Sequence, residues 1–430
     1  MATPAESISP GLDIPEDEED PKQLEKILQQ ECESVSIDDS RRVELKPLIE
    51  TEQIDDSFLK EDRPSGHLTN DPVLIRYQRS VVGSLAKSAG KNLLMGKSLM
   101  NISLPVRIFE ARSYLQRITD QWGNMSFLVQ SADATDPVER MRLLCTWMIS
   151  GLRFTVLQAK PFNPILGETY QATYPGGINL YMEQVTHHPP ASSWLMTDDA
   201  KRFTFTGSAE YHAMFKGNSI SAHQFGPQRV EYRDGSSIEF DWPNLHMTGY
   251  IYGQRYSHYN GTLTFRDVKN QLQCQITFNP DKKSWFGSVT SWFKKPTKTL
   301  PSDFFRGEIC RYPLMNATSM KAVAASATLS APVAPLPSSI ASQKTVLSTC
   351  FGTWLGFIDW DKKRYWDVRL MRPIAPTPVE NPLPSDCRFR KDLQHLARKE
   401  LDEAQKAKEE MEDKQRQEAS WRLSGYGRKT

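Results

Sequence analysis

The chain has 430 residues, 39% of them hydrophobic, enough apolar content to bury a large core with appendages. Its 53 basic and 52 acidic residues leave a formal net charge of +1, which excludes a broad nucleic-acid-binding surface. Six scattered cysteines without CxxC spacing read as reduced thiols, neither a disulfide framework nor a zinc site.

Residues 1–62 are rich in Asp, Glu and Ser, with Pro4, Pro10, Pro15 and Pro21, the composition of an acidic disordered tail. They lack the basic and apolar blocks of a secretory signal, and no apolar run in the chain approaches the ~18 residues that span a bilayer, so a soluble cytoplasmic protein is expected. From Arg63 to Lys97 the balance turns basic. Between Leu74 and Leu94 the residues Leu74, Tyr77, Val81, Leu85, Ala86 and Ala89 recur at helical spacing beside Arg76, Arg79, Lys87 and Lys91, a basic amphipathic helix. A second helix is predicted from Pro137 to about Val156. Asp136 is its N-cap, Pro137 suits the first helical position, Glu139 has capping-box spacing, and Met141, Leu144, Cys145, Met148 and Leu152 form the buried stripe.

In Lys160-Pro161-Phe162-Asn163-Pro164 two prolines stiffen the backbone around a compact cation suited to phosphate and a directional amide donor. In isolation such a string is more often a surface turn. The pattern then changes to period two: Thr169–Tyr174, a Pro-Gly-Gly turn and Ile178–Val185 predict a hairpin. Alternating runs follow at Phe203–Tyr211, Val230–Asp234, Ser237–Phe240, Met247–Tyr252, Thr262–Phe265 and Leu272–Phe278. Many short strands predict an antiparallel sandwich or barrel, and periodicity leaves those two open. Residues 313–342, with Ala, Ser and Pro and almost no charge, read as a disordered low-complexity insert, after which pairing resumes at Lys344–Ile358 and Tyr365–Leu370.

Asp386–Arg422 is predicted as a charged helix. Lys408, Glu412 and Arg416 are spaced i, i+4, i+8, drifting ~40° per step, so they share one side over roughly 12 Å. A solvated salt-bridge ladder is the usual meaning of such spacing. In Met182-Glu183-Gln184-Val185-Thr186-His187-His188-Pro189-Pro190, an extended segment delivers two imidazoles into a proline-locked turn. Neighbouring side chains on an extended backbone point to opposite sides, so the pair suits two parts of one anion better than one metal ion. The blander alternative is an imidazole that satisfies a buried carbonyl. HExxH, GxSxG and a clustered Cys/His set are absent, and Gly90–Ser98 has one residue too many for a P-loop.

The string EQVTHHPP (Glu183–Pro190), taken with KPFNPILGET (Lys160–Thr169), resembles the signature of the oxysterol-binding protein family of lipid-transfer proteins. Thr186 stands where the family usually has Ser, which keeps the hydroxyl. The resemblance covers about residues 74–312 and 343–420 and implies a mainly β (α+β) fold. This is a large, incompletely closed antiparallel β-barrel around a lipid tunnel, with an N-terminal lid and helices and a C-terminal helical element. The expected division is 1–62 tail, 63–103 basic lid region, 104–312 helices and main barrel, 313–342 insert, 343–388 remaining strands and 389–430 charged C-terminal helix, a short form without a pleckstrin-homology domain. Leu74, Tyr77, Val81 and Leu85 fall in the lid, which matches the family again at Gly96–Leu99 and Leu104–Val106.

By the same resemblance, Lys160, Asn163, His187 and His188 correspond to residues that hold the phosphorylated inositol of phosphatidylinositol 4-phosphate. Lys408 and Arg416 align as further headgroup contacts, with Glu412 ordering them. The implied function is exchange of that phosphoinositide for a second lipid, sterol first and phosphatidylserine as the alternative, through transient peripheral contact with intracellular membranes. No catalytic residue, metal or cofactor is expected. A lipid-dependent sensor or scaffold is the competing reading, and a hydrolase a distant third. Asp56–Glu61 is a poor version of the acidic two-phenylalanine motif that tethers relatives to the endoplasmic reticulum, which leaves a tether protein undecided. Histidines beside phosphate are expected to favour their protonated form, strengthening binding in mild acid.

Overall fold

The computed structural model describes residues 67–69, 71–89, 95–98, 103–156, 159–280, 301–312 and 344–424. The acidic tail with Asp56–Glu61 and the 313–342 insert lie outside the described residues.

The strands in chain order are β1 (His67–Leu68), β2 (Met95–Ser98), β3 (Phe109–Ser113), β4 (Lys160–Phe162), β5 (Thr169–Tyr174), β6 (Ile178–His187), β7 (Pro190–Asp198), β8 (Phe203–Lys216), β9 (Ser219–Phe225) and β10 (Gln228–Tyr232). They continue with β11 (Ser237–Phe240), β12 (Asn244–Thr248), β13 (Tyr256–Asp267), β14 (Leu272–Phe278), β15 (Phe304–Arg311), β16 (Thr345–Thr353), β17 (Phe357–Trp360), β18 (Lys363–Asp367) and β19 (Thr377–Pro378). All but β3 and β4 join one 17-stranded sheet, antiparallel throughout. β5 shows the logic: Tyr170, Ala172 and Tyr174 are buried while the residues between them are half-exposed, and Gly176 and Gly177 take positive φ in the turn to β6.

Two long strands organise the barrel. The first half of β8 pairs with β10 and its second half with β9, while β13 divides in the same way between β11 and β12. The sheet therefore splits and rejoins. At its ends β19 pairs with β5 and β18 with β17, and no ladder joins β18 to β19 among the described residues, so the barrel stays open. β3 and β4 form a separate parallel pair.

The helices are α1 (Pro72–Ala89), α2 (Tyr114–Arg117), α3 (Met125–Asp133), α4 (Pro137–Gly151), α5 (Lys391–Ala397) and α6 (Leu401–Leu423). Burial of α4 exceeds the single stripe predicted for it: Trp147 and Ile149 are enclosed along with Met141, Leu144, Cys145 and Met148. Trp147 meets Phe205 edge-on at 5.2 Å, Phe205 stacks toward Phe240, and Phe240 lies 4.9 Å from Phe265, an aromatic chain from helix to sheet. The helix ends at Gly151, five residues earlier than predicted, and continues as a 3₁₀ turn over Leu152–Phe154. A Cβ at Gly151 would lie 1.8 Å from the Gln121 carbonyl oxygen, so this close approach requires glycine.

Asp136 caps α4 by accepting from the Val138 and Glu139 N–H groups, each at 3.2 Å. Glu139 does not complete a capping box; its carboxylate accepts from Arg142 at 3.1 Å and Tyr365 at 2.7 Å. Asp136→Ala should cost about 1 kcal/mol, read as a lower urea midpoint at unchanged slope.

The expected lid helix is α1, capped by Asp71 through the Val73 and Leu74 N–H groups at 2.9 and 3.0 Å. Its described extent is Pro72–Ala89, and residues 90–94 of the predicted helix lie outside the described residues. Leu74 is buried, Tyr77 and Val81 pack against the main core, and Leu85 is half-buried. Val82 joins Phe215 and Ile251 in a small cluster of its own. Arg255 donates to Gln78 at 2.6 Å, and Arg79 donates to the Gly249 and Gly253 carbonyls. In this structure α1 is seated on the barrel.

Candidate functional site

The KPFNP segment sits where β4 runs parallel to β3, with Phe109 and Phe162 in ring contact at 4.6 Å. Lys160 Nζ lies 4.9 Å from the Phe109 centroid and donates to Asn163 Oδ1 at 2.5 Å and to the Pro161 carbonyl at 3.2 Å. Lys408 Nζ stands 5.9 Å from the same ring. Burial, followed by the nearby cations Lys408 and Arg390, pulls the Lys160 pKa down to about 7.

A buried ion network supports this segment from below. Glu168, 1% exposed, accepts from Ser113 Oγ, from the Ile165 N–H at 3.0 Å and from Arg390 at 2.7 Å. Arg390 also donates to the Asn163 carbonyl at 2.8 Å and forks onto Asp392 at 3.1 and 2.7 Å. The sequence reading missed Arg390, Asp392 and Ser113. Glu168 lay inside the quoted KPFNPILGET string, whereas Arg390 carried no local signal.

His187 closes β6, and His188 begins the turn. Gln184 holds this hairpin end, donating to the Thr186 carbonyl at 2.8 Å and accepting from Ser192 Oγ at 2.5 Å, while Thr186 Oγ1 donates to the Pro189 carbonyl. The His188–Pro189 peptide bond is cis. The imidazoles are not on opposite sides: their centroids are 4.6 Å apart at 63°, because strand alternation stops at His187 and His188 follows the turn. Burial, then His188, lowers the His187 pKa against the opposing effects of Glu412 and the Pro164 carbonyl. Where it stands, His187 is thus less readily protonated than an isolated imidazole. Its Nδ1 is enclosed without a hydrogen bond of good geometry.

The predicted single helix over Asp386–Arg422 is interrupted. A 3₁₀ turn (Cys387–Phe389), α5 and α6 succeed one another, with Lys399 at φ +64° between the last two. Glu400 seals the break by pairing with His395 at 2.6 Å and Arg398 at 3.0 Å. Gln405 Oε1 accepts from the Val106 N–H at 2.9 Å, which pins α6 beside the 3₁₀ turn (Val106–Ile108) that leads into β3. Lys408, 6% exposed, donates to Glu412 and to Ser103 Oγ at 2.9 Å, and Ser103 donates to Glu412 at 2.8 Å. Lys408 is thus enclosed, unlike a member of a solvated salt-bridge ladder. Arg416 alone is exposed, 4.0 Å from Glu412 and 2.5 Å from Asp413.

The structure thus gathers Lys160, Asn163, His187, His188, Lys408 and Glu412 in one region and leaves Arg416 at its rim. Among the described residues no group of three His, Cys, Asp or Glu side chains could hold a metal ion. No helix of the described residues is long and apolar enough to cross a membrane.

An open barrel covered by an amphipathic helix, with clustered cations at one end, defines a lipid-binding domain. The chain belongs to the oxysterol-binding protein family, whose family model (Oxysterol-binding protein) matches residues 88–298 and 370–428. It is 34% identical over 350 residues to oxysterol-binding protein 9 of Dictyostelium discoideum, an alignment covering 81% of this chain and 77% of that protein. It is 31% identical over 208 residues to oxysterol-binding protein-related protein 5 of Homo sapiens, covering 47% of this chain and 23% of that longer protein. The fold is similar to the Osh1 ORD domain in complex with cholesterol (TM-score 0.59, 20% identity, 94% of this chain and 89% of that one). It is also similar to the Osh3 ORD in complex with PI(4)P from Saccharomyces cerevisiae (TM-score 0.57, 20% identity, 85% and 88%).

Proposed function

We propose that this protein carries phosphatidylinositol 4-phosphate and, in alternation, a sterol between intracellular membranes. The observation that carries the reading is the pairing of Lys160 and Lys408 over one aromatic ring, with Arg390 and His187 close behind. Like charges held this close repel one another, and a phosphorylated inositol relieves that cost through charge-assisted hydrogen bonds. Asn163 and His188 supply further donors, Arg416 reaches the rim, and Glu412 holds Lys408 in place. Acyl chains left in water cost ~0.8 kcal/mol per CH₂, so a dozen carbons forfeit about 10 kcal/mol unless the barrel encloses them. Relatives crystallised with cholesterol, ergosterol and PI(4)P favour sterol over phosphatidylserine as the second lipid.

Transfer of labelled lipids between vesicles tests the reading. Movement of many lipids per protein is expected; stoichiometric binding without movement would mean a sensor or scaffold, and an altered headgroup would mean chemistry.

The pH dependence follows from Lys160. With its pKa near 7 in the free protein, the ammonium loses its proton above neutrality, whereas a bound phosphate raises that pKa toward the ordinary range. Binding then takes up a proton, so affinity should fall by up to about tenfold per pH unit above pH 7. Phosphoinositide extraction measured from about pH 6.5 to 8.5 should show this decline, and Lys160→Arg, which stays charged, should flatten it.

A further inference from the structure

Lys160 stands in the candidate site without a carboxylate of its own. Its Nζ is half-enclosed against the Phe109 ring and donates to neutral oxygens, Asn163 Oδ1 and the Pro161 carbonyl. The acids of the region are committed elsewhere. Glu168 and Asp392 bind Arg390, Glu412 binds Lys408, and Glu110, beside Phe109 on β3, pairs with Arg112 and Arg117. What faces Lys160 is cationic: Lys408 on α6, over the same ring, and Arg390 before α5. His187 and His188 end the neighbouring hairpin, with His187 in the fields of Glu412 and Arg390.

An ammonium in this setting is disfavoured twice, by burial and by repulsion from like charges. The same two causes bring the Lys160 pKa down to about 7. An ordinary lysine is neutral in roughly one molecule in a thousand at about pH 7.5, whereas most Lys160 side chains are neutral there. A desolvated lysine beside another cation is the arrangement that turns this side chain into a nucleophile. Direction is supplied as well. A neutral amine keeps two N–H bonds, and both have acceptors here in Asn163 and Pro161, so the lone pair is left on the side away from them.

We propose that Lys160 is a covalent capture site for small molecules that combine an aldehyde with a phosphate. The phosphate pairs with the Lys408 ammonium, and the aldehyde carbon comes against the Lys160 nitrogen across the Phe109 ring. The amine nitrogen bonds to that carbon, both amine protons leave with the carbonyl oxygen as water, and an imine remains. Nothing is oxidised or reduced, and water reverses the step. Capture needs neither an inositol ring nor acyl chains, so it stands apart from the proposed transport. Because it uses the same cations, a captured aldehyde acts as a reversible stopper in the lipid site.

Incubation of the full chain with pyridoxal phosphate, followed by borohydride reduction, digestion and mass spectrometric mapping, tests this. A single adduct at Lys160 is expected, with a rate that rises through neutrality and levels above about pH 8, whereas ordinary lysines label faster with each further pH unit. Pyridoxal lacking the phosphate should label Lys160 at least about tenfold more slowly. Excess inorganic phosphate should slow the phosphorylated reagent. Adducts on surface lysines with Lys160 spared would overturn the proposal, and so would equal rates with and without the phosphate, or a Lys160 rate that still climbs well above neutrality. Lipid transfer by the untreated protein reads the transport proposal separately. Normal transfer without an adduct would end the capture site alone, and an adduct at Lys160 in a protein that moves no lipid would uphold capture and end transport.

Discussion

Phosphoinositide extraction should fall by about a hundredfold or more when His187 and His188 are both replaced by alanine, because each charge-assisted hydrogen bond to phosphate contributes ~1.5–3 kcal/mol. Stability should change little. His187 Nδ1 makes no hydrogen bond of good geometry, and His188 is exposed in the turn, so truncation removes little beyond the contact between the His187 ring and the Pro164 carbonyl. Sterol loading reports on the barrel interior and should survive. The measurement is the fraction of phosphatidylinositol 4-phosphate removed from vesicles, read beside a denaturation curve and a sterol-binding curve for the same preparation. Wild-type extraction by the double variant would remove the histidines from the site. Parallel loss of sterol binding and stability would assign them a structural role.

Arg390→Ala should destabilise the fold by about 3–5 kcal/mol, the cost of leaving buried carboxylates without their counter-ion. Glu168 and Asp392 both depend on this guanidinium, and so does the Asn163 carbonyl that positions KPFNP. Lysine is a poor substitute, since one ammonium cannot reproduce the fork onto Asp392 and the bond to Glu168 together. Adding Glu168→Gln to Arg390→Ala should restore part of the loss by removing the orphaned charge, a coupling that a double-mutant cycle from urea midpoints would expose. Additive losses would mean that the two groups act independently.

How much of this was legible depends on where the information lies. The limits of β5, β11 and β14 match the predicted runs because alternation and turn residues are local signals. β8 and β13 run well beyond their predicted ends, since each changes partner midway and a single strand's periodicity does not record its neighbours. The same silence left sandwich and barrel unresolved. The Lys399 break in the C-terminal helix escaped because a lysine at positive φ has no compositional mark.

In the site, KPFNP and HHPP were readable as stiffened strings of donors. Their supports were not: Arg390 is 222 residues from Glu168 and Lys408 is 305 residues from Ser103, separations that a charge-rich helix read alone cannot bridge.

Those separations bear on how the molecule comes into being. Domains made on the ribosome begin folding from the N-terminal side, and contacts between distant parts of a chain form late. Gln405, Lys408 and Glu412 reach Val106 and Ser103 only after nearly all of the chain has been synthesised. A nascent chain halted before α6 has the barrel strands yet lacks one of the two ammonium groups over Phe109. The cationic cluster therefore becomes complete only in the last stage of folding, so a partly made copy has no finished grip on a phosphate.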